Sequence, residues 1–207
     1  MYIYSPMKTT YILAFFMILG NATIANTELS TFVKKFEATG FVNDFAGLLN
    51  FQQKDKLNQK INAINDSTSI QFAICTVKSL EGYSVNDFAK ALGNFWGVGH
   101  QQLNNGVIIV STVAEREIYI ALGDGTEKYI EENYLKILIK DVMKPAFVKG
   151  NYADGFNNAV EKIYMKLRGS GIDMRAVKAA EKNNIIFYAI GALFLLGMML
   201  LYYKMKS

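Results

Sequence analysis

The sequence predicts an α/β fold: a three-layer α/β/α sandwich around a mixed central sheet, followed by a single C-terminal transmembrane helix. Three observations carry this reading. Between Asn50 and Leu167, runs with apolar residues at helical spacing interleave with short continuous β-rich runs. One pair of β-rich runs is joined by only Thr112–Arg116, too short a link for a parallel crossover. The last amphipathic segment is followed by Ile185–Tyr203, 19 residues without a charge.

The elements follow in order. Asn50 and Gln53 form a capping-box pattern that opens the first helix, where Leu57, Ile61 and Ile64 recur on one face. Ser69–Val77 reads as a buried strand. Ser84 with Asp87 opens a second helix, with Val85, Phe88, Ala89, Leu92, Phe95 and Trp96 on its apolar face and Gly97 and Gly99 to stop it. Gly106–Ser111 and Glu117–Leu122 are the strands of a hairpin. A third helix is expected from about Glu127 to Val142, ending near Pro145. Asn151 with Asp154 caps a fourth, whose Phe156, Val160, Ile163 and Leu167 point inward. Ser30–Thr39 reads as a linker or edge segment, and Gly169–Gly171 as a second break.

Charge locates the chain. Its 207 residues carry a net +4 and a mean hydropathy of +0.13. Half the residues are apolar and only 2 are proline, which excludes disordered or collagen-like material. Asn26–Asp173 holds 16 Lys/Arg against 17 Asp/Glu, a net −1, so the basic excess lies outside the middle of the chain. It flanks two hydrophobic stretches. Tyr11–Leu19, preceded by Lys8 and followed by small residues, reads as a secretory signal; as a helix it rises only about 14 Å. Ile185–Tyr203 covers about 28 Å, the thickness of a bilayer core, with Lys182, Lys204 and Lys206 at its ends. The expected organisation is a signal peptide over 1–25, a linker over 26–40, a domain over 41–168, a juxtamembrane linker over 169–184, a span over 185–203 and a cytoplasmic tail over 204–207. That orientation makes the chain a single-pass membrane protein with its domain on the extracytoplasmic, periplasmic side. Gly191 and Gly197 are not spaced for helix dimerisation.

Familiar catalytic signatures are absent. The sequence has no nucleophile elbow, zinc-protease helix, phosphate-binding P-loop or cysteine-pair metal motif. His100 is the only histidine, and the lone Cys75 sits in an apolar run as a small hydrophobe. Gly97-Val98-Gly99 and Gly123-Asp124-Gly125 fall short of a dinucleotide fingerprint. No basic stripe with interleaved aromatics supports nucleic-acid binding. What remains is oxygen chemistry. Asp44 precedes the first helix, Asn104-Asn105 precede a strand, and Asp124 and Glu127 follow one, with Glu131 and Glu132 a turn later. If their loops converge at one sheet edge, Asp44, Asn105, Asp124 and Glu127 form one hard-cation site. The alternative is a plain Asn105-Gly106 turn, with Asp124 and Glu127 favouring a helix N-terminus.

Four stretches resemble the TPM domain family: Val42–Leu49; Phe95–Gly99 with Asn105–Ile109; Arg116–Ile120 leading to Gly123–Glu127; and Pro145–Phe147 with Gly150–Tyr152, Gly155 and Phe156. The resemblance covers Phe41–Leu167 and implies a compact α/β/α domain, usually exported and often tethered. It also implies binding of calcium or another divalent cation, as in some members, and functions as different as a thylakoid-lumen acid phosphatase linked to photosystem II repair and modulators of acetylcholine receptors. Asp44, Asn105 and Glu127 carry over directly, whereas Asp124 comes from the residue reading alone. The family favours Asp-Asn-Gly where Asn104-Asn105-Gly106 stands, often an aromatic at Asp124, and Asp near Glu132. The expected function is a membrane-anchored accessory factor in assembly, repair or modulation of a membrane protein complex. The alternative is a metal-dependent acid phosphatase, although Arg116 is the only arginine in the domain before Arg168.

Overall fold

The structure is a computed structural model, and it describes residues 28–68, 70–99, 103–170, 193–196 and 198–199. Among the described residues four strands form the sheet: β1 (Val42–Asp44), β2 (Gln71–Val77), β3 (Gly106–Thr112) and β4 (Ile118–Leu122), adjacent in that order. The first three are parallel and β4 runs antiparallel to β3, so the expected antiparallel pair stands at one end of the sheet. Periodicity does not reveal β1. Three residues are too few to show a period, and only pairing with Ile74–Thr76 makes them a strand.

Successive residues of β2 and β3 point to opposite faces, and both faces are covered. Phe72, Ile74, Val107 and Ile109 pack under α2 (Phe51–Thr68) and α7 (Tyr152–Gly169). Ala73, Cys75, Ile108 and Val110 pack under α3 (Val85–Trp96) and a short helix α1 over 28–33. Both crossovers, β1–α2–β2 and β2–α3–β3, step the same way across the sheet but pass over opposite faces. They are therefore of opposite hand, and one departs from the usual right-handed rule.

The caps act largely as expected. Asn50 and Gln53 exchange reciprocal bonds of 2.9 Å. Ser84 accepts the Asp87 N–H at 3.1 Å, and Gly97 ends α3 in the left-handed conformation, φ 63°. Replacing Ser84 by Ala is expected to cost about 1 kcal/mol in chemical denaturation. An unchanged midpoint would mean that the Ser84 cap does not hold the helix start.

Three expectations are corrected. Residues 28–40 are not simply a linker: Leu29, Phe32, Val33 and Phe36 recur at helical spacing, with Phe32 and Val33 buried. Phe36 stacks edge-on to Phe45 and Phe88, and its carbonyl accepts the Trp96 indole N–H at 2.7 Å. The single helix expected over Glu127–Val142 is instead a one-turn α4 (Asp124–Glu127), then α5 (Glu132–Leu138), a π turn (Ile139–Met143) and α6 (Lys144–Val148). The helix does not stop before Pro145, because the π turn closes on a wider Lys144 N–H to Ile139 O bond and leaves the proline in the first turn of α6. Asn151 starts α7 without a side-chain cap bond, and Phe147 packing on Tyr152 and Phe156 holds that corner instead.

Among the described residues no helix is long and apolar enough to cross a membrane. Tyr11–Leu19, His100 and most of Ile185–Tyr203 lie outside the described residues. The described pieces 193–196 and 198–199 are helical, and their Leu, Phe and Met side chains are exposed.

Candidate functional site

The sheet sets Asp44 apart from the other three residues expected to bind a cation, which lie together at its opposite end. Asp44 ends β1, level with Thr76 on β2 and so with Ser111 on β3. Asn105 lies before the first residue of β3, and Asp124 and Glu127 follow β4, whose Leu122 pairs with Val107. Six residues of β3 therefore part the Asp44 level from Asn105, about 20 Å at ~3.3 Å per residue. The reason is strand direction. Ligand crevices form beyond the carboxyl ends of parallel strands, whereas Asn105 precedes its strand and β4 is inverted.

Asp44 is engaged where it stands. Its carboxylate accepts Leu48 N–H at 3.0 Å, Leu49 N–H at 2.8 Å and the Thr76 hydroxyl. Thr76 Oγ in turn accepts Ala46 N–H at 3.2 Å, so the pair shapes the loop into α2. At the same edge Glu115 holds another loop, accepting from Ser79 Oγ and Leu80 N–H, both at 2.8 Å. Asp124 and Glu127 are exposed on α4, while Asn105 is buried. No three His, Cys, Asp or Glu side chains among the described residues gather as a metal group. The predicted quartet does not fit one hard-cation centre, and a phosphatase step through Asp44, Asn105 and Glu127 has no common site. Burial pushes the Cys75 thiol up, with the Asp44 charge adding to it, so Cys75 stays a protonated core residue.

The glycine pairs have a different use from phosphate binding. A Cβ on Gly106 would lie 2.1 Å from Val98 O, and one on Gly125 would lie 1.8 Å from Leu103 O. Three loops cross there with backbone against backbone. Gly123 N–H bonds Gly106 O and Gly125 N–H bonds Asn104 O, both at 2.9 Å. Buried Thr126 adds hydroxyl bonds to Gly106 O at 3.2 Å and Gly123 O at 2.9 Å. Asn43, also buried, accepts Thr39 N–H at 2.7 Å and donates to Gly40 O at 2.8 Å. Sequence reasoning passes over Thr126 and Asn43; buried polar residues at loop ends reveal their partners only in three dimensions.

A concavity of about 910 Å³ runs along β4 between α3 and the α5–α6 rod. Ile118, Ile120 and Leu122 lie in its floor, and Lys90, Lys140 and Lys144 on its walls. Those lysines make no ion pair among the described residues, whereas Lys136 meets Glu132 at 2.9 Å. Asp124 and Glu127 sit at the Leu122 end. This groove is the candidate site. It offers main-chain groups and ammonium charge, the equipment of a docking surface.

The TPM domain matches residues 42–166, and the chain belongs to that family. The N-terminal domain of a protein from P. gingivalis is 36% identical over 64% of this chain and 84% of that one, with a TM-score of 0.58. A protein from the psychrophilic bacterium Bizionia argentinensis shares the fold at 20% identity, over 59% of this chain and 83% of its own, with a TM-score of 0.53. No curated protein matches the chain. The match begins at β1, so the docked arm of α1 lies outside it.

Proposed function

We propose that the chain is a membrane-anchored accessory factor, holding its TPM domain on the extracytoplasmic, periplasmic side to assist assembly, repair or modulation of a membrane protein complex. The observation that carries this is Ile185–Tyr203, bilayer-length and uncharged, with lysines at both ends. The shorter apolar run Tyr11–Leu19 behind Lys8 supports export, and the exposed Leu193–Leu196 side chains suit a lipid rather than an aqueous setting. The groove along β4 gives such a factor a surface through which to hold its partner.

The test is fractionation. The full chain is expected to stay in the membrane pellet through an alkaline carbonate wash, and a chain ending at Ser170 to be released. Protease added outside intact spheroplasts is expected to digest the domain. Release of the full chain by carbonate, or protection of the domain until lysis, overturns the proposal.

A further inference from the structure

β4 is the last strand of the sheet, and one of its edges has no neighbouring strand among the described residues. Two main-chain bonds fix the phase of its ladder: Thr112 N–H to Glu117 O and Gly123 N–H to Gly106 O, both 2.9 Å. Bonded and non-bonded pairs alternate in an antiparallel ladder. With Val107 opposite Leu122, Tyr119 and Ala121 turn their N–H and C=O toward β3. Ile118, Ile120 and Leu122 therefore turn theirs outward, and among the described residues no loop or helix main chain bonds them. All three border the groove.

A free edge is ordinarily short, covered or guarded. This one lies in a trough with a helix on either side, which keeps out a whole sheet and admits a single extended chain. The charges around it are ordered. Asn86 and Lys90, in the first half of α3, stand toward the Ile118 end, because α3 returns from the end of β2 to the start of β3. Asp124, Glu127 and Glu132 stand at the other end, and Lys140 and Lys144 follow two and three turns along the rod from Glu132. Among the described residues the buried side-chain oxygen of Asn86 has no donor.

We propose that the groove docks an extended segment of a partner protein as a fifth strand on β4. The segment's main chain bonds the outward groups of Ile118, Ile120 and Leu122, and its acidic side chains meet Lys90, Lys140 and Lys144. Antiparallel addition, the more stable pairing, brings the segment's C-terminal part to the Ile118 end, so the acidic residues belong there. This deepens the accessory-factor reading by naming the chemistry of the partner, and rests on that reading only for the partner's biological setting.

The probe is a blocked, fluorescein-labelled peptide of alternating valine and threonine with three glutamates in its C-terminal third. It is titrated with the full chain in a non-ionic detergent and followed by anisotropy. Saturable binding that weakens as salt rises is expected. Leu122→Pro removes an outward N–H and leaves the β3 ladder whole, a position where an edge strand tolerates proline. It is expected to weaken binding about tenfold. Lys140→Glu with Lys144→Glu, which touches no core residue, is expected to weaken it to a similar degree and to flatten the salt dependence. Methylating the peptide amides that face β4 is expected to abolish binding, whereas methylating the alternate set is not. Absence of saturation at millimolar protein overturns the proposal, as does equal binding by a folded Leu122→Pro chain. So does a chain that dimerises through β4 and ignores the peptide. Carbonate extraction reads the membrane tether independently, so the two readings can fail separately.

Discussion

Gly125→Ala is expected to destabilise the domain by about 3 kcal/mol, at the upper end of overpacking substitutions. The added methyl would lie 1.8 Å from Leu103 O and 3.0 Å from Asn104 O. Neither is the far end of a flexible side chain. Both are main-chain carbonyls of the loop entering β3, and Asn104 O already accepts Gly125 N–H at 2.9 Å. Relief requires moving α4 off the loop, which breaks that bond and disturbs the Thr126 bonds to Gly106 O and Gly123 O. Thermal unfolding followed by circular dichroism is expected to show a midpoint roughly 10 °C lower. A variant melting within about 2 °C of the parent would show that the loops are not stacked this closely. The outcome bears on function too, since Gly123 and Asp124 form one end of the groove.

Asp44→Ala is expected to cost about 2 kcal/mol, because it leaves two main-chain donors and a hydroxyl without their acceptor. Asp44→Asn keeps one carbonyl oxygen and is expected to lose about half as much. The calcium response separates this structural role from a ligand role. Binding of an ion to the folded state raises the melting temperature, so a calcium ligand at position 44 would make that rise vanish in the variant. The structure instead predicts a lower starting temperature and the same response to calcium and chelator in parent and variant. Loss of a calcium-dependent rise on substitution would restore Asp44 as a ligand.

Periodicity exposes much of the fold. The apolar stripes of α2, α3 and α7 are long enough to repeat, and each buries the residues its spacing names, Leu57 and Ile61, Phe88 and Leu92, Phe156 and Ile163. β2 and β3 are legible as continuous apolar runs because both of their faces are covered. What escapes is short or conditional. β1 has three residues, and the arm from Leu29 to Phe36 supplies only two turns of pattern. The π turn depends on how Pro145 is accommodated, which no spacing reveals. The site is less legible still. Asp44, Asn105, Asp124 and Glu127 do stand near strand ends, but which end each occupies depends on strand direction, and that is a property of pairing. The groove itself is drawn by main-chain groups of β4, which carry no residue signature at all.

The π turn has a further consequence for the lysine row. Glu132, Lys136, Lys140 and Lys144 repeat every four residues, and all four border the groove. On a straight α-helix of 3.6 residues per turn, the last would be rotated by about 120° from the first and would face elsewhere. One wider turn between them takes up an extra residue and cuts that drift to roughly 20°. The turn that admits a proline thus also acts as a rotational correction, making a comb of charges out of a spacing that would otherwise spiral away. Deleting one residue from Ile139–Met143 would restore a regular helix and keep Lys144 within about 20° of the row, whereas straightening the turn with every residue kept would swing Lys144 out of it.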